Sequence, residues 1–213
     1  MKTSLASFFG SLLLAVLLNL QTSNSFAAET VKEDTTTPAA AARTFYGAMH
    51  AGDTNLFKRI SIGTDYQKDW MLGYIRSSLA IRELLKASTA KFGKQPTEKA
   101  FGEMVASSEM AAVGLAALTN AEVKIEGTNA TITFKHGASD PMMLRRIEGK
   151  WKVLLGDDIN KADFDKNAVV AMAESQEQCT KDILGDKYKS ADEASQALMT
   201  ALMSKMQGQH HEP

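Results

Sequence analysis

The feature that most constrains this chain is a change of hydrophobic period near residue 121. Before it, apolar residues recur at helical spacing. After it, Val123 and Ile125 alternate with charged residues, and the alternation resumes beyond a turn at Gly127. A period of two is typical of strands with one face in water. The alternating runs cover residues 122–126, 130–135, 142–147 and 151–155. The sequence therefore predicts two hairpins that form a four-stranded antiparallel sheet.

Helical patterns flank these strands on both sides. Thr37 and Pro38 form an N-cap and first-turn pair, and Gly52 ends the helix that they begin. Ser190 and Glu193 form a capping box for the last helix. The helices are predicted over residues 38–51, 54–60 and 65–92, from Thr97 onward, and over 163–184 and 191–206. We therefore expect an α+β domain in which N-terminal helices pack on the four-stranded antiparallel sheet and two C-terminal helices follow.

Two segments carry a resemblance to a known family. Residues 41–57, AARTFYGAMHAGDTNLF, look like the first helix, Gly-Asp turn and second helix of the NTF2-like family. Residues 142–155, MMLRRIEGKWKVLL, resemble its long strand, Gly-centred turn and Trp-bearing return strand. The resemblance implies a cystatin-like α+β cone with a concave sheet, and it implies no particular chemistry. The helical block 66–118 is longer than the family usually needs, and the helices after residue 160 are additions to it.

The element order is also similar to that of periplasmic phospholipid-shuttle proteins. They too follow a signal peptide, place a helical region before a four-stranded sheet and carry further helices behind it. This likeness is architectural and rests on no shared motif.

The N-terminus has the pattern of a cleavable signal peptide. Lys2 precedes an apolar run over residues 8–20, which is too short to span a bilayer. Small residues at Ser25 and Ala27 then predict cleavage after Ala27. No Cys lies near this cut, so we expect neither a lipid anchor nor any stable membrane anchor. The protein is expected in the periplasm or secreted.

The remaining boundaries follow from composition. The predicted divisions are a signal peptide at residues 1–27, a flexible leader at 28–37, a single domain at 38–206 and a disordered tail at 207–213.

Charge and cysteine content narrow the class of protein. The chain has 24 Lys and Arg against 25 Asp and Glu, a balance that argues against nucleic acid as a partner. Its single cysteine, Cys179, forms no internal disulfide, so packing alone must hold the fold. Cys179 lies on a helical stripe with Gln176 and Ile183, which predicts a buried thiol.

The search for chemistry finds no assembled catalytic set. Acids, Tyr and His that face the cavity serve as acid and base in enzyme members of the NTF2-like family. Asp53 and Asp69 are candidate acids for that role, but Asp53 suits a helix N-cap. Apolar residues fill the inward strand positions, namely Val123, Ile125, Ile132 and Phe134. We therefore assign no catalytic residue. The residues predicted to line a ligand site in the cone are Tyr46, Tyr66, Trp70, Phe134 and His136.

Metal sites are not supported by the spacing of the residues that bind metals. The acids of residues 157–165 fail the calcium-loop pattern, because a loop that starts at Asp158 has Asp163 in place of Gly and Val169 in place of the last Glu. The four His have no ligand spacing, apart from the terminal pair His210 and His211. We expect no metal and no cofactor.

The sequence thus favours an exported, non-enzymatic binding or accessory module. The expected partners are a small apolar ligand or lipid, and a protein partner or a second copy of the chain. Two alternatives stay open: a periplasmic lipid carrier, and an enzyme of the isomerase or hydratase type that uses the cone cavity.

Overall fold

The computed structural model describes residues 31–108, 110–135, 140–156 and 166–208. The helices of this part are α1 (Pro38–Ala51), α2 (Thr54–Ile60), α3 (Asp65–Phe92), α4 (Lys94–Ser108), α5 (Met110–Ala117), α6 (Lys166–Leu184) and α7 (Ala191–Gly208). Its strands are β1 (Ser61–Ile62), β2 (Glu122–Glu126), β3 (Asn129–Thr133), β4 (Met142–Ile147) and β5 (Lys150–Leu154). The predicted α+β class is confirmed.

The first two helices begin and end where their capping residues predict. The Thr37 side chain accepts a hydrogen bond from the Ala40 amide, and Pro38 occupies the first turn of α1. Gly52 ends α1 with a φ of 73°, a left-handed conformation that glycine adopts without a steric penalty. One residue later, the Asp53 carboxylate accepts a hydrogen bond of 2.9 Å from the Leu56 amide and caps α2.

Helix α3 runs without a break for 28 residues. A capping box starts it: the Thr64 hydroxyl accepts from the Gln67 amide, and the Gln67 side chain accepts from the Thr64 amide. Gly73 lies inside it against α6, where an added Cβ would be 3.3 Å from Cγ1 of Val169. This glycine thus allows close approach of the two helices.

Helix α4 starts earlier than its sequence predicts. Thr97 was expected to be its N-cap, but α4 already begins at Lys94. Pro96 is compatible with this start because the first turn of a helix needs no amide donor. The Thr97 hydroxyl instead lies buried, within 2.8 Å of the Ser88 hydroxyl, and donates to the Gly93 carbonyl at 2.9 Å.

The sheet differs from the predicted one in strand number and pairing. It has five strands in the order β1-β5-β4-β3-β2, and β1 runs parallel to β5. The expectation of four antiparallel strands was wrong, because β1 has only two residues and cannot display an alternating pattern. Its first residue, Ser61, also contacts the preceding helix α2, because the Ser61 hydroxyl donates to the Phe57 carbonyl at 2.7 Å.

The core-facing side of the sheet is only partly covered. Ile132 and Phe134 are buried as predicted. Val123 lies opposite Ile132 on the same face, and Ile125 lies opposite Ala130. These two side chains are nevertheless 42% and 55% exposed, so their predicted inward burial was wrong. Helix α1 packs on β3 and β5, whereas β2 is an edge strand and all five of its residues are exposed.

Two hydrophobic clusters lie on either side of the middle of α3. The first joins the sheet to α1, α2 and the first half of α3, and Phe57, Ile75 and Trp151 belong to it. The second joins the second half of α3 to α4, α6 and α7, and Leu84 and Ile183 belong to it. The two C-terminal helices therefore pack against the helical part of the molecule, and α3 connects both clusters.

Residues 31–37, from the segment predicted as a flexible leader, lie against the domain. The Asp34 amide donates to the Thr44 hydroxyl at 3.1 Å, and that hydroxyl donates to the Asp34 carbonyl at 2.9 Å. The buried Thr35 accepts a hydrogen bond of 2.9 Å from the Trp151 amide through its carbonyl. This segment therefore pairs with the start of β5, at Trp151, on the same side of β5 as β1.

In the ranges that the structure describes, no helix is both long enough and apolar enough to cross a membrane.

Candidate functional site

Three of the five residues predicted to bind a ligand belong to one hydrophobic cluster. Phe134 is 4% exposed within it, and Tyr46 and Trp70 pack at its edge. The Tyr46 ring meets the Phe45 ring edge to face, with 5.7 Å between centroids. The Trp70 ring stacks on Tyr74 at 5.8 Å. These rings are in contact with protein, and burial raises the pKa of Tyr46 to about 12.

The other two predicted residues are placed differently. Tyr66 lies half-buried in the first turn of α3, outside the residues of that cluster. His136 lies outside the described residues. The sheet face that was expected to form a ligand cavity is packed in its middle with buried side chains of α1 and α2, among them Phe45 and Phe57.

A groove open to solvent lies elsewhere, between α3 and α6. This α3–α6 groove has a volume of about 670 Å³. Its apolar lining is Leu72, Ile75, Leu79 and Ala80, all from α3. Its polar lining is Thr54, Arg76, Glu83, Glu177, Thr180 and Lys181. The structure thus offers a concave, largely aliphatic surface with a charged border, which is the usual character of small-molecule sites.

Helical spacing places the apolar lining on one side of α3. Leu72, Ile75 and Leu79 follow one another at intervals of three and four residues, so they form a single stripe. From Leu72 to Ala80 the apolar lining rises about 12 Å at about 1.5 Å per residue. The groove is therefore elongated along α3.

The opposite wall comes from α6, and a buried polar pair fixes its distance. The Ser77 hydroxyl donates to Oε1 of Gln176 at 3.0 Å, and both side chains are buried. Buried polar groups in this arrangement specify how two helices align, because a shift would leave both unsatisfied. The α3–α6 groove is thus bounded by two helices held in a defined register.

An ion pair at the border connects the same two helices. Arg76 Nε and Nη2 donate to the two carboxylate oxygens of Glu177, each at 2.8 Å. The hydrogen bond from Arg76 lowers the pKa of Glu177, and the same bond raises the pKa of Arg76. Lys181 and Glu83 add one further charge of each sign to the lining. The border is therefore balanced in charge.

A second, more polar groove of about 390 Å³ lies between α6 and α7. Lys205 crosses it and donates to Glu174 at 2.9 Å. Cys179 borders it but is only 4% exposed, and its thiol lies 3.6 Å from the Ala194 carbonyl. Burial, together with the nearby Asp182, raises the pKa of this thiol to about 11. The predicted burial of Cys179 is confirmed, and such a thiol is a poor nucleophile.

The other candidate residues do not converge on one site. Asp53 caps α2, and Asp69 is exposed on α3. Within the described part of the chain, no three His, Cys, Asp or Glu side chains are grouped to hold a metal ion. The acids of residues 157–165 and the pair His210 and His211 lie outside the described residues.

Sequence reasoning missed the α3–α6 groove, although its lining left a signal. Leu72, Ile75 and Leu79 form an evident apolar stripe, but such a stripe usually packs in a core. Ile75 is indeed buried, whereas Leu72 and Leu79 are covered only in part, which depends on how α3 and α6 align in space.

Comparison with protein-family models, curated proteins and solved structures found no match to this chain. The resemblance to the NTF2-like family stays a prediction.

Proposed function

We propose that this protein is an exported binding module whose α3–α6 groove accommodates an elongated apolar ligand, such as an acyl chain. The observation that carries the proposal is the aliphatic lining of this groove, in which the partly buried Leu72 and Leu79 lie beside the buried Ile75 and Ala80. An apolar ligand gains free energy there in proportion to the apolar surface that it removes from water.

The shape and charge of the groove support this class of ligand. Its length along α3 suits an extended chain better than a compact ring system. Its border has Arg76 and Lys181 against Glu83 and Glu177, so it offers no net charge to attract a small ion. We therefore expect the apolar part of the ligand to supply most of the affinity.

Binding is favoured over catalysis by the groups that line the groove. Its titratable side chains stand at the border, and two of them, Arg76 and Glu177, are engaged with each other. A general acid or base works best when its pKa lies near the working pH. The carboxylate of Glu177 is instead kept ionised by its partner.

The test is the binding of a fluorescent fatty acid to a variant with a filled groove. Thr180 stands in the groove lining, and its hydroxyl donates to the Gln176 carbonyl at 2.9 Å. In Thr180→Phe, the added ring should occupy the groove and weaken binding at least about tenfold, or ~1.4 kcal/mol.

A matched control exists on the last helix. Thr200 makes the same local bond, since its hydroxyl donates to the Gln196 carbonyl at 2.9 Å, and it lies outside the α3–α6 groove. Thr200→Phe should bind the probe as the wild type does. Equal affinity in Thr180→Phe and wild type would overturn the assignment of the groove.

A lipid carrier is the second candidate, and the elongated groove favours it. The discriminating measurement is native mass spectrometry of protein purified in contact with membranes. A carrier should retain phospholipid, and Thr180→Phe should lose it. Retention of fatty acid without phospholipid would support the binding module and exclude the lipid carrier.

Export is tested separately from binding. The full chain, expressed in a Gram-negative host, should appear in the osmotic-shock fraction with Ala28 as its first residue. A bulky, charged residue before the cut, as in Ala27→Arg, should block processing. An unprocessed wild-type chain in the cytoplasmic fraction would contradict the export proposal and would leave the groove proposal unaffected.

A further inference from the structure

In the described part of the chain, the two sides of the sheet differ in the backbone that pairs with them. At one edge, β1 pairs with β5, and the Leu155 amide donates to the Ile62 carbonyl at 2.8 Å. Further along the same edge, the Trp151 amide donates to the Thr35 carbonyl. Backbone of the chain itself therefore covers β5 along its length.

The other edge is formed by β2, which pairs only with β3 among the described strands. All five residues of β2 are exposed. A sheet edge of this kind presents a row of backbone donors and acceptors to which another strand can pair.

The side chains of β2 sort by type onto the two faces of the sheet. Val123 and Ile125 lie on the core-facing side of the sheet, but α1 packs on β3 and β5 rather than on β2. The two side chains are therefore 42% and 55% exposed. Glu122, Lys124 and Glu126 stand on the opposite face, and Lys124 pairs with Glu126 at 2.7 Å. The edge thus combines an apolar row with a row of alternating charge.

We propose that β2 pairs in an antiparallel manner with β2 of a second copy of this chain, so that the two sheets join into one. The charge pattern selects this partner because it is complementary to itself. With Val123 opposite Val123 of the second copy, Glu122 lies opposite Lys124 on both sides of the two-fold axis. On the apolar face, Ile125 then lies opposite Ala121. Opposite charges and apolar residues in direct cross-strand pairs stabilise such a ladder.

The register centred on Lys124 is disfavoured by the same charges. A pairing centred on Lys124 would place the two Lys124 side chains opposite each other and Glu122 opposite Glu126. Like charges directly opposite each other destabilise a strand pair. The register centred on Val123 avoids these contacts and places Ile125 opposite Ala121, whose backbone is extended. A register centred on Ile125 would also pair Lys124 with Glu126, but it would place Val123 opposite Gly127, a turn residue with a φ of 62° and no side chain.

The register is tested by disulfide trapping at the two-fold axis. In the proposed pairing, the residues at position 123 of the two copies are direct neighbours, within the distance that a disulfide spans. Val123→Cys should give a cross-linked dimer on a non-reducing gel. The native Cys179 does not confuse the result because it is buried.

Ile125→Cys is the matched control. It lies on the same face and is more exposed in the wild type, so random collision would cross-link it at least as readily. In the proposed register it lies opposite position 121 and stays uncross-linked. Equal cross-linking of the two variants would overturn the proposal.

Charge variants provide an independent test by analytical ultracentrifugation. Lys124→Glu makes the charged row entirely acidic, and Glu122→Lys gives two lysines side by side. Each variant alone should lose the dimer that wild type forms at high concentration. A mixture of the two should restore a dimer, because each Lys at 122 or 124 then faces a Glu. A wild-type chain that stays monomeric at every concentration, or single variants that dimerise as wild type does, would refute the pairing.

Discussion

Ser77 and Gln176 are 99 residues apart in the chain, yet the Ser77 hydroxyl donates to Oε1 of Gln176 at 3.0 Å between two packed helices. Both side chains are buried. Helices α3 and α6 also form the walls of the α3–α6 groove. Because this bond fixes how α3 and α6 align, it also helps to fix the shape of the candidate site.

The first prediction concerns the cost of breaking this bond on one side. Ser77→Ala leaves the Gln176 amide oxygen buried without its donor, which should lower the free energy of unfolding by about 1–3 kcal/mol. For a chain of this size, the melting temperature should fall by roughly 2–4 °C per kcal/mol. The double variant Ser77→Ala/Gln176→Leu should recover part of the loss, because both polar groups are then removed.

Ser175→Ala is the control for the first prediction. Ser175 is equally buried, but its hydroxyl donates to the Ala171 carbonyl of its own helix at 2.8 Å. Removal of the Ser175 hydroxyl leaves no side chain without its hydrogen-bond partner, so it should lower the free energy of unfolding by less than Ser77→Ala does. If Ser175→Ala destabilises the protein as much as Ser77→Ala, the bond to Gln176 has no special role.

The second prediction concerns acid pH. The hydrogen bond from Arg76 holds the pKa of Glu177 below its ordinary value of 4.5. Because the folded state has the lower pKa, this pair stabilises the fold above the ordinary pKa and loses its effect as pH falls through the folded value. Both side chains are partly exposed, so we expect at most about 1 kcal/mol from the pair.

Glu177→Gln should therefore melt below wild type at neutral pH, and the two curves of melting temperature against pH should converge in acid. High salt should reduce the difference. Glu98→Gln, at an exposed glutamate of α4 that lies 3.7 Å from Lys94, is the control. A difference between Glu177→Gln and wild type that persists unchanged at the acid end would contradict the assignment.

The third prediction compares two helical glycines in different surroundings. An added Cβ at Gly114 would lie 2.6 Å from Cζ of Tyr46, whereas one at Gly102 would meet nothing within 4 Å. Gly102→Ala should stabilise the protein by roughly 0.5–1 kcal/mol through helix propensity. Gly114→Ala should instead lower the melting temperature, because the Tyr46 ring must move.

Replacement of the ring separates the two effects at Gly114. In a Tyr46→Ala background, the added methyl group has room, so Gly114→Ala should cost less than it does in wild type. Additive effects of the two substitutions would rule out the contact between Gly114 and Tyr46.

The fourth prediction concerns the single thiol. Cys179 is buried and its pKa is raised to about 11, so little thiolate is present at pH values near neutrality. A thiol reagent should label the native protein slowly and the guanidinium-unfolded protein at once. Ser204→Cys places a second thiol at an exposed position of α7, and it should react immediately in the folded protein. Rapid labelling of native wild type would show that the α6–α7 groove opens.

Much of the secondary structure could be predicted because its signals are local. The caps at Thr37, Gly52 and Asp53 act within one helical turn, so the bounds of α1 and α2 followed from neighbouring residues. The hairpins β2–β3 and β4–β5 followed from alternation around a turn. Strand β1 could not be predicted in this way, because two residues show no period and its partner strand, β5, lies about 90 residues later in the chain.

The candidate site could not be predicted in the same way. The sequence predicts Tyr46, Trp70 and Phe134 as ligand-site residues, whereas the structure buries Phe134 in a core cluster and packs Tyr46 and Trp70 against it. The lining of the α3–α6 groove looked like an ordinary core stripe. Whether an apolar stripe is covered or open depends on the helix that lies against it, which no local pattern reports.

The sequence by itself determined the α+β class, most helix bounds, both hairpins and the burial of Cys179, because capping, periodicity and turn chemistry act over a few residues. Only the tertiary structure decided that β1 adds a parallel fifth strand, that Val123 and Ile125 stay exposed at an open edge, and that α3 and α6 enclose a groove. These outcomes depend on contacts between segments far apart in the chain. The same apolar residue is core or surface according to which segment covers it.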